Sequence, residues 1–249
     1  MKGSLAIARR ELAAWLDSPG AWVVAAACAL ALHAAFWFLG YPIGEQRVPG
    51  LWEGRSASLF ALFAWLPLAY VVLAPALCMA SWAEERRSGS EELLLSWPIR
   101  ARAAVSGKFL AAWLALAGWT SAVLVPLACV VAALGELDWG VFWCGWSGAL
   151  CLCASSAAIA LALSSAAAEP LVAFLLGALA LGALWSSVLF ARVLAPAWAE
   201  LALALSPSAH YLETSARGLL DSGDLAWHAA WVLAALALNT WLVEGRRWR

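Results

Sequence analysis

Apolar residues in this chain come in long unbroken runs. Six stretches, at about 20–40, 57–80, 108–134, 139–165, 171–195 and 225–243, approach or exceed the roughly 20 residues that cross a hydrocarbon core. The runs are continuous rather than alternating and rich in Ala and Leu, which predicts helices. A helix also satisfies its own backbone groups in lipid. The expected fold class is all-α, a polytopic membrane protein with six transmembrane helices in one domain, 1–249.

The polar segments between the runs carry the distinguishing features. Over 4–17, Leu5, Ala8, Leu12, Trp15 and Leu16 share one helical face while Arg10 and Asp17 lie away from it. This predicts an amphipathic helix within 1–19 on a leaflet surface, ended by Ser18-Pro19-Gly20. The connection after the second run is the most polar part of the chain, from Glu84, Glu85, Arg86 and Arg87 through Ser88, Gly89 and Ser90 to Glu91 and Glu92. Ser88 and Glu91 have capping-box spacing, so a short helix is expected to begin there and to stop before Pro98. It would carry Leu93, Leu94 and Leu95, too few to span, and so needs lipid, the spans or another protein to bury it. Ser206-Pro207 predicts one more amphipathic helix, with Leu212, Ala216 and Leu219 on a face and Glu213 four residues before Arg217. It either lies on the outer leaflet or forms an ordered external loop.

Composition narrows the class. Hydrophobic residues make up 65% of 249 and charged residues 12%, far from soluble domains. A net charge of −1 excludes disorder and nucleic-acid binding. The 18 tryptophans suit bilayer interfaces. Of the 15 Lys and Arg residues, Lys2, Arg9, Arg10, Arg86, Arg87, Arg100, Arg102, Lys108, Arg246, Arg247 and Arg249 fall on one side of a six-span topology. Arg47, Arg55, Arg192 and Arg217 fall on the other. The positive-inside rule then makes both termini cytoplasmic, with the first run retained as a helix; the expected location is a plasma (inner) membrane. Cys28, Cys78, Cys129, Cys144, Cys151 and Cys153 all lie in apolar runs without CxxC spacing, which predicts packing rather than metal or redox chemistry.

Ionisable groups at depth would mark an ion-coupled carrier. Within the runs His33 and Asn239 stand out; the first reads as a neutral histidine hydrogen-bonded to a neighbouring helix and the second as interhelical glue. One enzymatic alternative exists. Gly145-Trp146-Ser147-Gly148 with His228 resembles the Ser–His pair of rhomboid-like intramembrane serine proteases. Against it, no His or Asn in the second run offers an oxyanion site. Small residues such as Gly145, Ser147 and Gly148 also serve helix packing.

The 84–98 segment resembles a stretch of the ABC-2 type transporter permeases, the six-helix membrane subunits of one ABC transporter class, which reads E-E-[KR]-R-S-G-T-x-E-x-L-L-x-x-P. Glu84, Glu85, Arg86, Arg87, Ser88, Gly89, Glu92, Leu94, Leu95 and Pro98 match it, and Ser90 stands for the usual Thr. Glu91 replaces a usual apolar residue, and Gly107-Lys108 matches the start of span three. Arg10-Glu11 with Asp17-Ser18-Pro19, the outer stretch from Leu205 to Asp224 and the Arg246-Arg247-Trp248 tail are similar to the gliding-motility and nitrous-oxide-reductase-maturation branch. The resemblance implies that 1–19 is an elbow helix, with Leu5, Leu12 and Trp15 on its apolar face. It implies that Glu84, Glu85, Arg86, Arg87, Gly89, Glu92, Leu94, Leu95 and Pro98 form a coupling helix docked on a cytoplasmic ABC ATPase. A second permease copy, identical or related, would complete the pathway in the membrane lipid. The chain has no G-x-x-x-x-G-K-[ST] loop, so no cofactor is expected in it, and ATP and Mg would sit on the partner ATPase. The implied role is export or force transmission, not enzymatic catalysis by this chain.

Overall fold

In the computed structural model, which describes residues 2–42, 48–54, 58–91, 100–191 and 195–247, the chain is helical throughout and contains no strand among those residues. The elements are α1 (Lys2–Leu16), α2 (Pro19–Ala34, continued by a π-helical turn over Ala35–Leu39), α3 (Leu51–Gly54), α4 (Phe60–Arg87) and α5 (Ala101–Leu134). They continue with α6 (Trp139–Ala166), α7 (Pro170–Phe190), α8 (Pro196–Leu205), α9 (Pro207–Glu213) and α10 (Ser222–Arg247). Six of them, α2, α4, α5, α6, α7 and α10, are long and apolar enough to cross a membrane. The protein is a multi-pass membrane protein.

The helices outrun the apolar windows. Helix α4 continues to Arg87 and α5 begins at Ala101, so both carry charged turns beyond the hydrocarbon. Helix ends are set by caps rather than by apolarity: α2 begins at Ser18, whose Oγ accepts from the Ala21 N–H, and α6 at Asp138, whose carboxylate accepts from the Gly140 and Val141 N–H groups.

Helix α6 is the central post. Its apolar window is 72% buried, against 11% for α2 and 17% for α7. Helices α4, α5, α7 and α10 pack on it, α2 packs on α4, and α1 lies along α5. The Gly-Trp-Ser-Gly segment serves close packing: a side chain at Gly145 would strike the Phe63 ring and one at Gly148 would strike Ser215. Gly177 of α7 likewise sits against Pro75, which α4 carries in its interior.

Several tryptophans expected at the interfaces instead tie helices together. The indole N–H of Trp119 donates to the Ala25 carbonyl (2.9 Å), that of Trp113 to Leu150 (3.0 Å) and that of Trp146 to the Ser121 hydroxyl (3.1 Å). Tyr70 donates to Thr120 at 2.6 Å, since the Thr120 hydroxyl itself donates to Leu116.

Other sequence expectations are revised. On α1 the protein-facing side is Ile7, Ala8 and Glu11, while Leu5 is 66% exposed and Leu12 and Trp15 are half-buried. The leucine stripe is thus left outward, beside the packed face rather than in it. The outer helix from Pro207 ends at Glu213, and a 3-10 turn, Ser215–Arg217, carries the chain to Gly218 at φ 86. Tyr211, Leu212, Ser215 and Ala216 are buried, with Ser215 against α6 at Gly148, so this piece is ordered protein rather than a leaflet-bound helix. Leu219 is exposed, and Glu213 and Arg217 form no ion pair among the described residues. The leaflet-like exposure belongs to α8, where Trp198, Leu201 and Leu205 face outward. His33 bonds its own helix at Ala29 O (2.7 Å). Asn239 is fully buried, and neither of its amide atoms has a partner among the described residues, so the expected interhelical bond is not made.

Candidate functional site

Four consecutive charges, Glu84 to Arg87, end α4. Steps of about 100° per residue send them to different neighbours. Glu84 and Arg87 pair with each other at 2.8 Å on the exposed side. Glu85 and Arg86 turn inward to two separate networks.

The first network centres on Lys108, which has no exposure. Its ammonium donates to Glu11 Oε1 at 2.9 Å and to the Ser81 carbonyl at 2.6 Å, and lies 2.9 Å from Glu85 Oε1. Those contacts match the three donors an ammonium has. The Trp82 ring covers it at 4.8 Å to the centroid. Arg10 reaches Glu11 at 2.8 Å and Glu85 at 2.7 Å. Two cations and two carboxylates are therefore interleaved, and the pairing is what permits a lysine to be buried at all. Hydrogen bonding to Glu11 is the largest influence on Arg10 and raises its pKa further. The helices meet closely here. At Gly107 a Cβ would lie 2.6 Å from the Ser4 carbonyl, so any other residue would push α1 off α5.

The second network caps α6. That helix ends at Ala166, leaving carbonyls at the negative end of its dipole. Arg86 donates to Ala167 O at 3.0 Å and Ser165 O at 3.2 Å. Arg246, from the end of α10, also donates to Ser165 O. Glu91 bridges the two arginines, at 3.5 Å to Arg86 and 3.1 Å to Arg246. Burial outweighs the pull of Arg86 and raises the Glu91 carboxyl pKa. This is not the expected capping box: Ser88 donates back to the Glu84 and Glu85 carbonyls, and Glu91 spends its carboxylate on arginines. Gly89 makes the turn between them at φ 72, a left-handed conformation that favours glycine.

Glu84, Glu85, Arg86, Arg87 and Gly89 are thus brought to one charged end of the bundle. Glu92, Leu94, Leu95 and Pro98 lie outside the described residues. Sequence reasoning did not assign Glu11, Lys108 and Arg246 to this site. Two signals were present: an acid on the Ile7–Ala8 side of α1, and a lone lysine just inside a continuous apolar helix.

At the opposite end, Ser147 and His228 are not brought together. Ser147 donates to Cys144 O at 2.9 Å within its own helix. His228 bonds Ser155 at 3.2 Å, eight residues and about 12 Å further along α6. The Ser155 hydroxyl donates to Leu152 O, so it accepts from the His228 Nδ1–H and is not poised to lose a proton to it. Nearby, His210 pairs with Asp224 at 2.8 Å and stacks on Trp227. No group of three or more His, Cys, Asp or Glu suited to a metal occurs among the described residues. No protein-family profile matches the chain, and no curated protein matches it.

Proposed function

We propose that the chain is the membrane subunit of an ATP-driven ABC-2 type transporter, with both termini cytoplasmic in a plasma (inner) membrane. The observation that carries this reading is the split of Glu85 and Arg86. Adjacent residues at the end of α4 engage α1 and α5 through Arg10 and Lys108, and α6 and α10 through the Ser165 carbonyl and the Glu91 carboxylate that also holds Arg246. The short connection beginning at Gly89 therefore starts from a point tied to four other helices. A push delivered to that connection would be shared by the whole bundle end, which is what a subunit driven by a separate ATPase requires.

At depth the spans hold no Asp, Glu, Lys or Arg for ion coupling, His33 is spent on its own helix, and the chain has no phosphate loop, so energy comes from a partner polypeptide. Two membrane subunits and two ATPases would form the complex. The work done is export or force transmission to an external client. The test is co-expression with an ATPase encoded beside it. The two should copurify, and ATP hydrolysis should change when Glu85→Gln or Arg86→Gln is introduced. A chain that purifies without an ATPase from membranes where both are expressed would sink the reading.

A further inference from the structure

Between the C-terminal half of α1 and helices α2, α4 and α5 runs an apolar cleft of about 320 Å³, walled by Leu12, Leu16, Ala25, Leu77, Leu114 and Gly118 among others. Its polar edges are already used. The Leu16 carbonyl accepts from the Trp22 indole at 2.8 Å, and the Trp119 indole donates to Ala25 O. What remains inside is hydrocarbon surface. The depth is informative. Lys108 marks the charged end of α5, and the cleft's lining on that helix, Leu114 to Ala122, lies about 9–21 Å deeper. In a hydrocarbon core roughly 30 Å thick, that is acyl-chain depth. The cleft opens on the outside of the bundle and its lining carries no charged side chain, which suits the hydrocarbon of an acyl chain.

One turn before Leu12, the surface beside the cleft carries a charge. Arg10 is spent on Glu11 and Glu85, but its neighbour Arg9 is exposed and forms no ion pair among the described residues. Arg9, Leu12 and Leu16 stand at i, i+3 and i+7, so the cation shares a face with the two leucines that wall the cleft. We infer that this cleft holds one acyl chain of an anionic phospholipid, with the headgroup phosphate on Arg9. The inference needs only that the protein sits in a membrane, and is independent of the transporter reading.

The experiment is native mass spectrometry of the purified full chain in detergent, titrated with phosphatidylglycerol or with phosphatidylcholine of the same chains. The protein should prefer phosphatidylglycerol about fivefold, as expected for one basic residue at an anionic surface. Arg9→Gln should abolish the preference and leave phosphatidylcholine binding unchanged. Gly118→Leu is the second arm. A Cβ there meets nothing within 4 Å, so the side chain enters the cleft without displacing protein. It should weaken both lipids about tenfold, the effect of keeping two methylenes out of the cleft, with an unchanged melting temperature. Unaltered binding of both lipids by Gly118→Leu would overturn the site. Retained anionic preference in Arg9→Gln would overturn the headgroup assignment and, with it, the proposal.

Discussion

Lys108 and Glu11, 97 positions apart, meet at 2.9 Å, with the lysine wholly out of solvent. That contact makes α1 part of the bundle rather than a leaflet-bound appendage. An isolated ammonium could not be buried there. With Glu11, Glu85 and the Ser81 carbonyl it loses no hydrogen bond, and α1 cannot leave without stranding charges on α4 and α5.

Lys108→Met should therefore destabilise the protein by about 3–5 kcal/mol, because two carboxylates lose their shared cation. Adding Glu11→Gln should recover part of the loss, since the two residues are in direct contact and their effects are not additive. Thermal unfolding of the purified single and double variants measures both. Equal midpoints for wild type and Lys108→Met would show that the pair does not hold α1.

The six spans were legible because run length alone decides what crosses a bilayer. The packing was not. Nothing local to Lys108 announces a partner at Glu11, and the tail residue Arg246 gives no sign that it will reach Ser165. The outer stretch shows a different limit. Ser206 does cap a helix, its Oγ accepting from the Ala209 N–H, yet Gly148 opens a seat for Ser215 that local periodicity cannot reveal. The Ser147–His228 pairing failed for a similar reason. How far along α6 the His228 side chain lands depends on how the helices cross, and it lands at Ser155.

Topology is open to direct test. The distribution of Lys and Arg predicts that a reporter fused after Arg249 is cytoplasmic and one inserted near Gly50 is external. The reverse pattern would place the charged end of the bundle outside, and an ATPase could not reach it.

Ser147→Ala should leave function nearly intact, since the Ser147 hydroxyl bonds only its own helix at Cys144. His228→Ala should lose the bond to Ser155 and a little stability, about 1 kcal/mol for one neutral hydrogen bond. Labelling of Ser147 by a fluorophosphonate that depends on His228 would revive the protease reading.

Glu91 carries a pH signature. Burial raises its pKa in the folded protein, so over the window above the ordinary carboxylate range the folded state holds its proton more tightly than the unfolded state. Stability should then fall as pH rises through that window, because the unfolded state binds fewer protons there. The wild-type melting temperature should drop across it relative to that of Glu91→Gln, which has no proton to lose. Parallel profiles for the two proteins would show that Glu91 titrates normally.

The transmission step rests on the segment after Gly89. Glu91 fixes its start to Arg86 and Arg246, and Leu94 and Leu95 follow within one turn's length of sequence. If these leucines enter a groove on an ATPase, each contributes roughly 1.5–3 kcal/mol when fully desolvated. Leu94→Asp would bury an unpaired carboxylate and should abolish docking, while Glu92→Ala should weaken it by removing a charged hydrogen-bond partner. Membrane insertion should survive both changes, because neither lies in a span. The measurement is copurification with the ATPase together with transport-linked ATP hydrolysis. A full complex and normal coupled turnover in both variants would make the segment a lipid-facing surface element. The Glu85 and Arg86 networks would then brace the bundle end without carrying a signal through it.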